Sequence, residues 1–353
     1  MSVSGVVQQS EVHPILSDPS QDRPGSASSP AGAPVRSGGT DPRRLALACI
    51  GWLLTAVLGV VIVLYGLSPV FAQRSQHRLL TSYKVALRQS SLEATGLFGL
   101  TLPTEPPATG STDGVLEIGR MHLRDAVVEG VGPAQTEDGP GHVPGTAGLG
   151  QPGNAAVVAR RSAFGGPFSN VSSMRPGDPI VVTTTEGQTL YVVKQVRTVR
   201  LTTGSATPAV TSPLPGASAS AGPTAPVRFG SSVAVDDLYG PSTDNRLTLV
   251  TSASRLPWSG SRATVVLATM KTLPFTPTPQ QSRSSDQDGR SPQGGAWALF
   301  VLAGAVFALV ALGAVAVYRR CPARSAYLIS GAPLLVATVL LATAITRMLP
   351  AWA

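Results

Sequence analysis

Charge, aromatic rings and cysteine are all scarce in this 353-residue chain. Charged residues make up 13% of it, where soluble domains carry about 25%. Cys49 and Cys321 are the two cysteines, which excludes a disulfide framework and a cysteine-based metal site. Aromatics are 5% of the chain and the formal charge is +8. No Lys/Arg run interleaves with rings, so the positive balance is not a nucleic-acid footprint. The histidines, His13, His77, His122 and His142, stand at no metal-ligand spacing. No strand–glycine loop–helix order offers a phosphate cradle. No cofactor and no metal is expected.

What is abundant is apolar and small. Hydrophobic residues are 43% of the chain, with 37 Gly and 31 Pro, which argues against a helix-rich soluble enzyme. Residues 45–67, 296–318 and 325–346 are runs without a charged side chain, each near the ~20 residues that cross a bilayer as a helix. Val70-Phe71-Ala72 imitates a signal-peptidase site, but the first run is longer than a signal h-region and starts 44 residues in, so it reads as an uncleaved anchor. Arg319, Arg320 and Arg324 place the hairpin between the last two runs in the cytoplasm. The amino-terminal tail is then inside, and the long middle segment and the carboxyl terminus are outside. Arg43 and Arg44 agree with that orientation, whereas Arg74, Arg78, Lys84 and Arg88 oppose it.

Between these runs the composition shifts. Residues 1–44 are rich in Ser, Pro and Gly, lack apolar periodicity and are expected to be a disordered cytoplasmic tail. Residues 74–99 resume a helical pattern through Leu79, Leu80, Tyr83, Leu87 and Leu92, which predicts a stalk helix lifting an outer domain off the membrane. Residues 115–273 hold short β-branched runs at 155–158, 179–183, 189–193, 247–251 and 263–267, punctuated by Gly, Pro and Asp. No helical patterns alternate with them, so they predict an all-β barrel or sandwich and not a parallel sheet with crossovers. Residues 203–226 form a Thr/Ser/Ala/Pro/Gly insert, expected as a flexible surface loop, and 274–295 form a polar linker. Gly304, Ala308 and Gly313 suggest close packing of the second span on the third.

Asp125-Ala126-Val127-Val128-Glu129-Gly130, Gly139-Pro140-Gly141-His142-Val143-Pro144-Gly145-Thr146 and Gly153-Asn154 together resemble the front half of an actinobacterial, class E-like sortase domain. Phe164-Gly165-Gly166-Pro167-Phe168, Pro176-Gly177-Asp178-Pro179-Ile180 and Leu247-Thr248-Leu249-Val250-Thr251 continue the resemblance, in order, over about 115–270. It implies an eight-stranded β-barrel on the outer face of the membrane, carried here beside three transmembrane helices. Active members of that family are cysteine transpeptidases of Gram-positive cell envelopes. They cut a sorting signal on a secreted protein, hold it as a thioacyl enzyme and pass it to an amine of the cell wall or a pilin subunit.

The chain departs from the family at its reacting positions. Where the family has histidine after Gly-Asn, four apolar residues and Gly, this chain has Arg160. Where the family strand ends in cysteine, it has Ser252. The arginine opening the next strand corresponds to Arg262, with Arg255 as the alternative. A serine hydroxyl needs a general base, and arginine, with a pKa above 12, is not one. His142 lies at a family position outside the catalytic set, and nothing in the sequence places Lys194 or Lys271 beside Ser252. Arg160 and Arg262 suggest a cationic floor suited to carboxylate or phosphate; the plainer reading is that Arg160 pairs with a nearby Asp or Glu. Two functions stand open: a non-catalytic module binding a secreted peptide or cell-envelope component, or a divergent sortase using Ser252 or a partner's residues.

Overall fold

The computed structural model of the chain describes residues 42–95, 105–202, 232–255, 261–283, 287, 289, 294–320 and 323–352. The tail up to residue 41, the 203–226 insert and hairpin residues 321–322 lie outside the described residues.

Among the described residues, three helices are long and apolar enough to cross a membrane, over Leu53–Gln89, Ala296–Arg320 and Leu328–Met348. Helix α1 (Pro42–Val61) passes through a π-helical turn, Ile62–Leu67, into α2 (Ser68–Thr95). Along α2 the buried positions are Ser68, Ala72, Gln76 and Tyr83, the 3.6-residue spacing of a packed face. That face lies on the β domain. The Gln76 side chain donates to the carbonyls of Ala126 (3.0 Å) and Asp138 (2.6 Å) and accepts from the Ala126 N–H (2.7 Å). Ala126 needs this partner because the next strand pairs only with Val128 and Glu129; a glutamine amide stands in for a missing strand.

The β domain is a closed eight-stranded barrel. Its strands are β1 (Thr112–Ile118), β2 (Leu123–Glu129), β3 (Gly141–His142), β4 (Asn154–Val158), β5 (Pro179–Thr184), β6 (Gly187–Thr202), β8 (Arg246–Ser252) and β9 (Arg262–Met270), with a short β7 (Ser232–Ala234). The order is β5-β1-β2-β3-β4-β8-β9-β6, closed by β5 on β6, while β7 adds to the free side of β6. Two short helices, α3 (Pro133–Asp138) and α4 (Val235–Tyr239), follow β2 and β7. Alternation divides the apolar side chains between two sites. Val157, Leu247, Leu249 and Val266 join Tyr191 and Phe168 inside the barrel, and Val158, Val250, Ala263 and Val265 join Leu238, Tyr239 and Trp352 outside it. All seven residues of β8 are buried; Leu247, Leu249 and Val250 supply apolar surface, and the Thr248 and Thr251 hydroxyls are satisfied by Asn154 and Ala159 O.

Residues 271–283 form a strap on this barrel: Phe275 N–H donates to Gly150 O (2.9 Å) and Thr278 exchanges bonds with the Gln151 side chain. Helices α5 (Ala296–Arg320) and α6 (Ala323–Met348) pack on each other. The glycines expected at their contact are not there. A methyl group added at Gly304 or Gly313 would meet nothing within 4 Å, whereas one at Gly59 of α1 would lie 2.9 Å from Thr338 of α6. The buried small residues of α5 are Ala296, Ala303 and Ala314; an Ala/Gly-rich span offers several small-residue stripes, and helix rotation selects among them.

Candidate functional site

The parallel pairing of β4 with β8 builds the site. Val158 is level with Val250, so the chain leaving β4 and the end of β8 emerge side by side, with residue 160 abreast of residue 252. Ala159 N–H donates to Val250 O (3.1 Å) and the Thr251 hydroxyl donates to Ala159 O (2.8 Å). The structure therefore brings Arg160 and Ser252 to one edge, as the motifs imply.

Their side chains do different work. The Arg160 guanidinium is fully buried and turned to α3, with Nε donating to Thr136 O (3.3 Å) and Nη2 to Pro133 O (2.9 Å). It stacks on Phe164, 4.8 Å from the ring centroid. Burial lowers its pKa to about 10, against the opposing pull of the Glu137 charge, so it remains a cation at neutral pH. Nη1 has no hydrogen-bond partner among the described residues. Carbonyls, rather than a carboxylate in direct contact, are what hold Arg160.

Ser252 is 1% exposed, and its hydroxyl accepts from Ser254 N–H at 3.2 Å. The neighbouring Arg161, not singled out by the motif, reaches it: Arg161 Nη1 donates to Ser252 O at 3.1 Å. Burial and the nearby charge of Arg255 both lower the Arg161 pKa. Arg262 sits elsewhere. Its neighbour Ala263 faces Ser252 across the β8–β9 ladder, so strand alternation turns Arg262 to the other side. It is exposed in a hollow with Thr198, Arg200 and Ser232. Arg160 and Arg262 thus make no common cationic floor; Arg161, with the charge of Arg255 near it, is the arginine that reaches Ser252. Lys271 follows the far end of β9, eight residues or roughly 26 Å from the Ser252 level. Lys194 sits at the β6 bulge opposite Ala268 and Leu267, roughly 15 Å along the sheet.

His142 is committed to a second, buried cluster. Nδ1 lies 2.6 Å from Glu129 Oε2 and 3.8 Å from Asp113 Oδ2, and Nε2 lies 2.9 Å from Ala147 O. A carbonyl accepts only, so Nε2 carries a proton; a carboxylate at Nδ1 calls for a second one. Burial alone would lower the imidazole pKa. The Glu129 hydrogen bond, the Asp113 and Glu129 charges and the Ala147 carbonyl outweigh it and raise the pKa to about 9. Burial, with Glu129 beside it and against the opposing imidazolium, raises that of Asp113. Asp113, Glu129 and His142 are also the one group among the described residues whose donor atoms, all within 4.8 Å of one another, have the types that bind a metal ion. The sequence hid this cluster because Asp113 and His142 lie 29 residues apart; the acidic residues within apolar runs at β1 and β2 were its available signal.

Residues 116–271, nearly the whole barrel, match the sortase domain family. Among solved structures, the chain is similar to a Clostridium perfringens sortase D5 transpeptidase at 15% identity, covering 56% of this chain and 99% of that one with a TM-score of 0.39. It is also similar to sortase E from Streptomyces avermitilis (24% identity, 48% of this chain, 93% of that one, TM-score 0.33). Sortase E1 from Streptomyces coelicolor, solved with a tripeptide in its active site, matches at 19% identity over 47% of this chain and 91% of that one, TM-score 0.30. The comparison with curated proteins gives no match.

Proposed function

We propose that this sortase domain is a non-catalytic module, held on the outer face of a cell membrane, that binds a secreted peptide or a cell-envelope component. The observation that carries this reading is the edge shared by β4 and β8. A hydroxyl stands at the nucleophile position, and the base position holds a buried arginine whose guanidinium is bound to α3 carbonyls. Transfer of an acyl group to Ser252 needs a group that takes its proton in the transition state. His142 has both ring nitrogens engaged away from Ser252, and both lysines considered lie further along the sheet. Cys49 falls in α1, Cys321 lies outside the described residues, and the barrel segment 112–270 contains no cysteine. The rival reading, a serine-dependent sortase, requires a base other than His142, Lys194 and Lys271, from a partner or from outside the described residues. The test is a pair of assays on the full chain in detergent: peptide binding by anisotropy, and peptide cleavage or transfer to an amine by mass spectrometry. The proposal expects binding without turnover, unchanged by Ser252→Ala. Turnover that Ser252→Ala abolishes would overturn it.

A further inference from the structure

The end of the chain returns to the edge described above. Pro350 stops α6, and Leu349, Ala351 and Trp352 beyond Met348 are buried, the last two completely. The Trp352 carbonyl accepts from the backbone N–H of both Ser252 and Arg161, at 3.3 Å each, and Ala351 N–H donates to Gly289 O at 2.9 Å. The Trp352 ring joins Val158, Val250 and Ala263 in the outer apolar cluster. Its indole nitrogen has no hydrogen-bond partner among the described residues, so the site takes the ring for its apolar surface alone. Residues 351–352 form a turn and not an added strand, so two elements of peptide capture by sheets, main-chain donors at strand ends and a pocket for one side chain, are what hold them.

We infer that the groove where β4 and β8 end is a binding site for a peptide turn bearing one aromatic side chain, and that residues 349–352 occupy it as a tethered internal ligand. The inference rests on the peptide-binding reading above and adds its regulation: an outside peptide enters when the tail withdraws. A tethered ligand acts at an effective concentration in the millimolar range, so a free peptide of similar affinity competes poorly with it. Because the tail continues α6, any movement of the third span relative to the barrel would change its hold.

The test compares the full chain in detergent micelles with a chain ending at Met348 and with Trp352→Ala, which keeps the backbone complete. The first readout is the rate at which a maleimide labels a Ser252→Cys thiol in a background carrying Cys49→Ser and Cys321→Ser; it does not depend on peptide binding. Labelling at least tenfold faster without the tail is expected, and equal rates would overturn the inference. The second is binding of a dye-labelled synthetic peptide, Leu-Pro-Ala-Trp-Ala. The shortened chain and Trp352→Ala are expected to bind it at least tenfold more tightly than the parent, and Trp352→Phe to behave as the parent. Equal affinity for parent and shortened chain would overturn the internal ligand while leaving the peptide-binding reading standing. Faster labelling with no binding by any variant would mean that the peptide-binding reading itself has failed, and the inference with it.

Discussion

Replacing Glu129 with Gln removes one negative charge from a site no water reaches. Glu129 and His142 are both 0% exposed and their contact is 2.6 Å. Raising the imidazole from the usual 6.5 to about 9 corresponds to about 3 kcal/mol of differential interaction. Glu129 supplies the hydrogen bond and part of the charge behind that rise, and loss of one partner from a buried pair typically costs about 3–5 kcal/mol. The sign follows from linkage. A pKa higher in the folded than in the unfolded state contributes stability in full below about 6.5, declining as pH rises and gone above about 9. Asp113, also raised, acts in the same direction over a more acidic window. The parent should therefore lose stability between pH 6.5 and 9, while Glu129→Gln should start lower and change little across that interval. For a domain of this size about 3 kcal/mol is roughly 6–12 °C in Tm. Thermal unfolding of the full chain in detergent, followed by near-ultraviolet circular dichroism from pH 5.5 to 9.5, measures both. A variant within 2 °C of the parent at pH 6, or one with the parent's slope, would refute the buried imidazolium.

Two further expectations follow from the packing and the span order. Gln76→Ala leaves the N–H and C=O of Ala126 without their amide partner, which should destabilise α2 docking by about 2 kcal/mol or more; protease protection of α2 reports it, and unchanged protection would contradict the docking. If the 319–324 hairpin is cytoplasmic, a membrane-impermeant thiol reagent should leave Cys321 unlabelled in intact cells and label it after lysis. Labelling before lysis would reverse the orientation.

The parts of the fold that were legible in the sequence are those where one physical requirement dominates. β8 is buried on both faces, so Leu247-Thr248-Leu249-Val250-Thr251 reads as a strand with no context. Each span is long and uncharged, so its length alone identifies it. Strands β1 and β2 are less plain because Asp113 and Glu129 enter the barrel wall to meet His142, and a carboxylate in an apolar run is read locally as a break. The site was half legible. Motif spacing located Arg160 and Ser252, but where a guanidinium points depends on carbonyls 24 and 27 residues earlier in the chain. Arg262 was misread for the reason that a one-residue offset on a strand reverses the face. Trp352 had no local signal at all, since its contact with Ser252 depends on where α6 ends relative to the barrel.

The account's central claim is that Ser252 does not act as a nucleophile. The most direct measurement is the intact mass of the full chain and of the chain ending at Met348, whose groove no tail fills, after exposure to a sorting-signal peptide bearing a serine-reactive fluorophosphonate, with Ser252→Ala in each as the control. An activated hydroxyl would attack phosphorus and expel fluoride; the account predicts the same unmodified mass for each chain and its control. An adduct on Ser252 that the control lacks would contradict it.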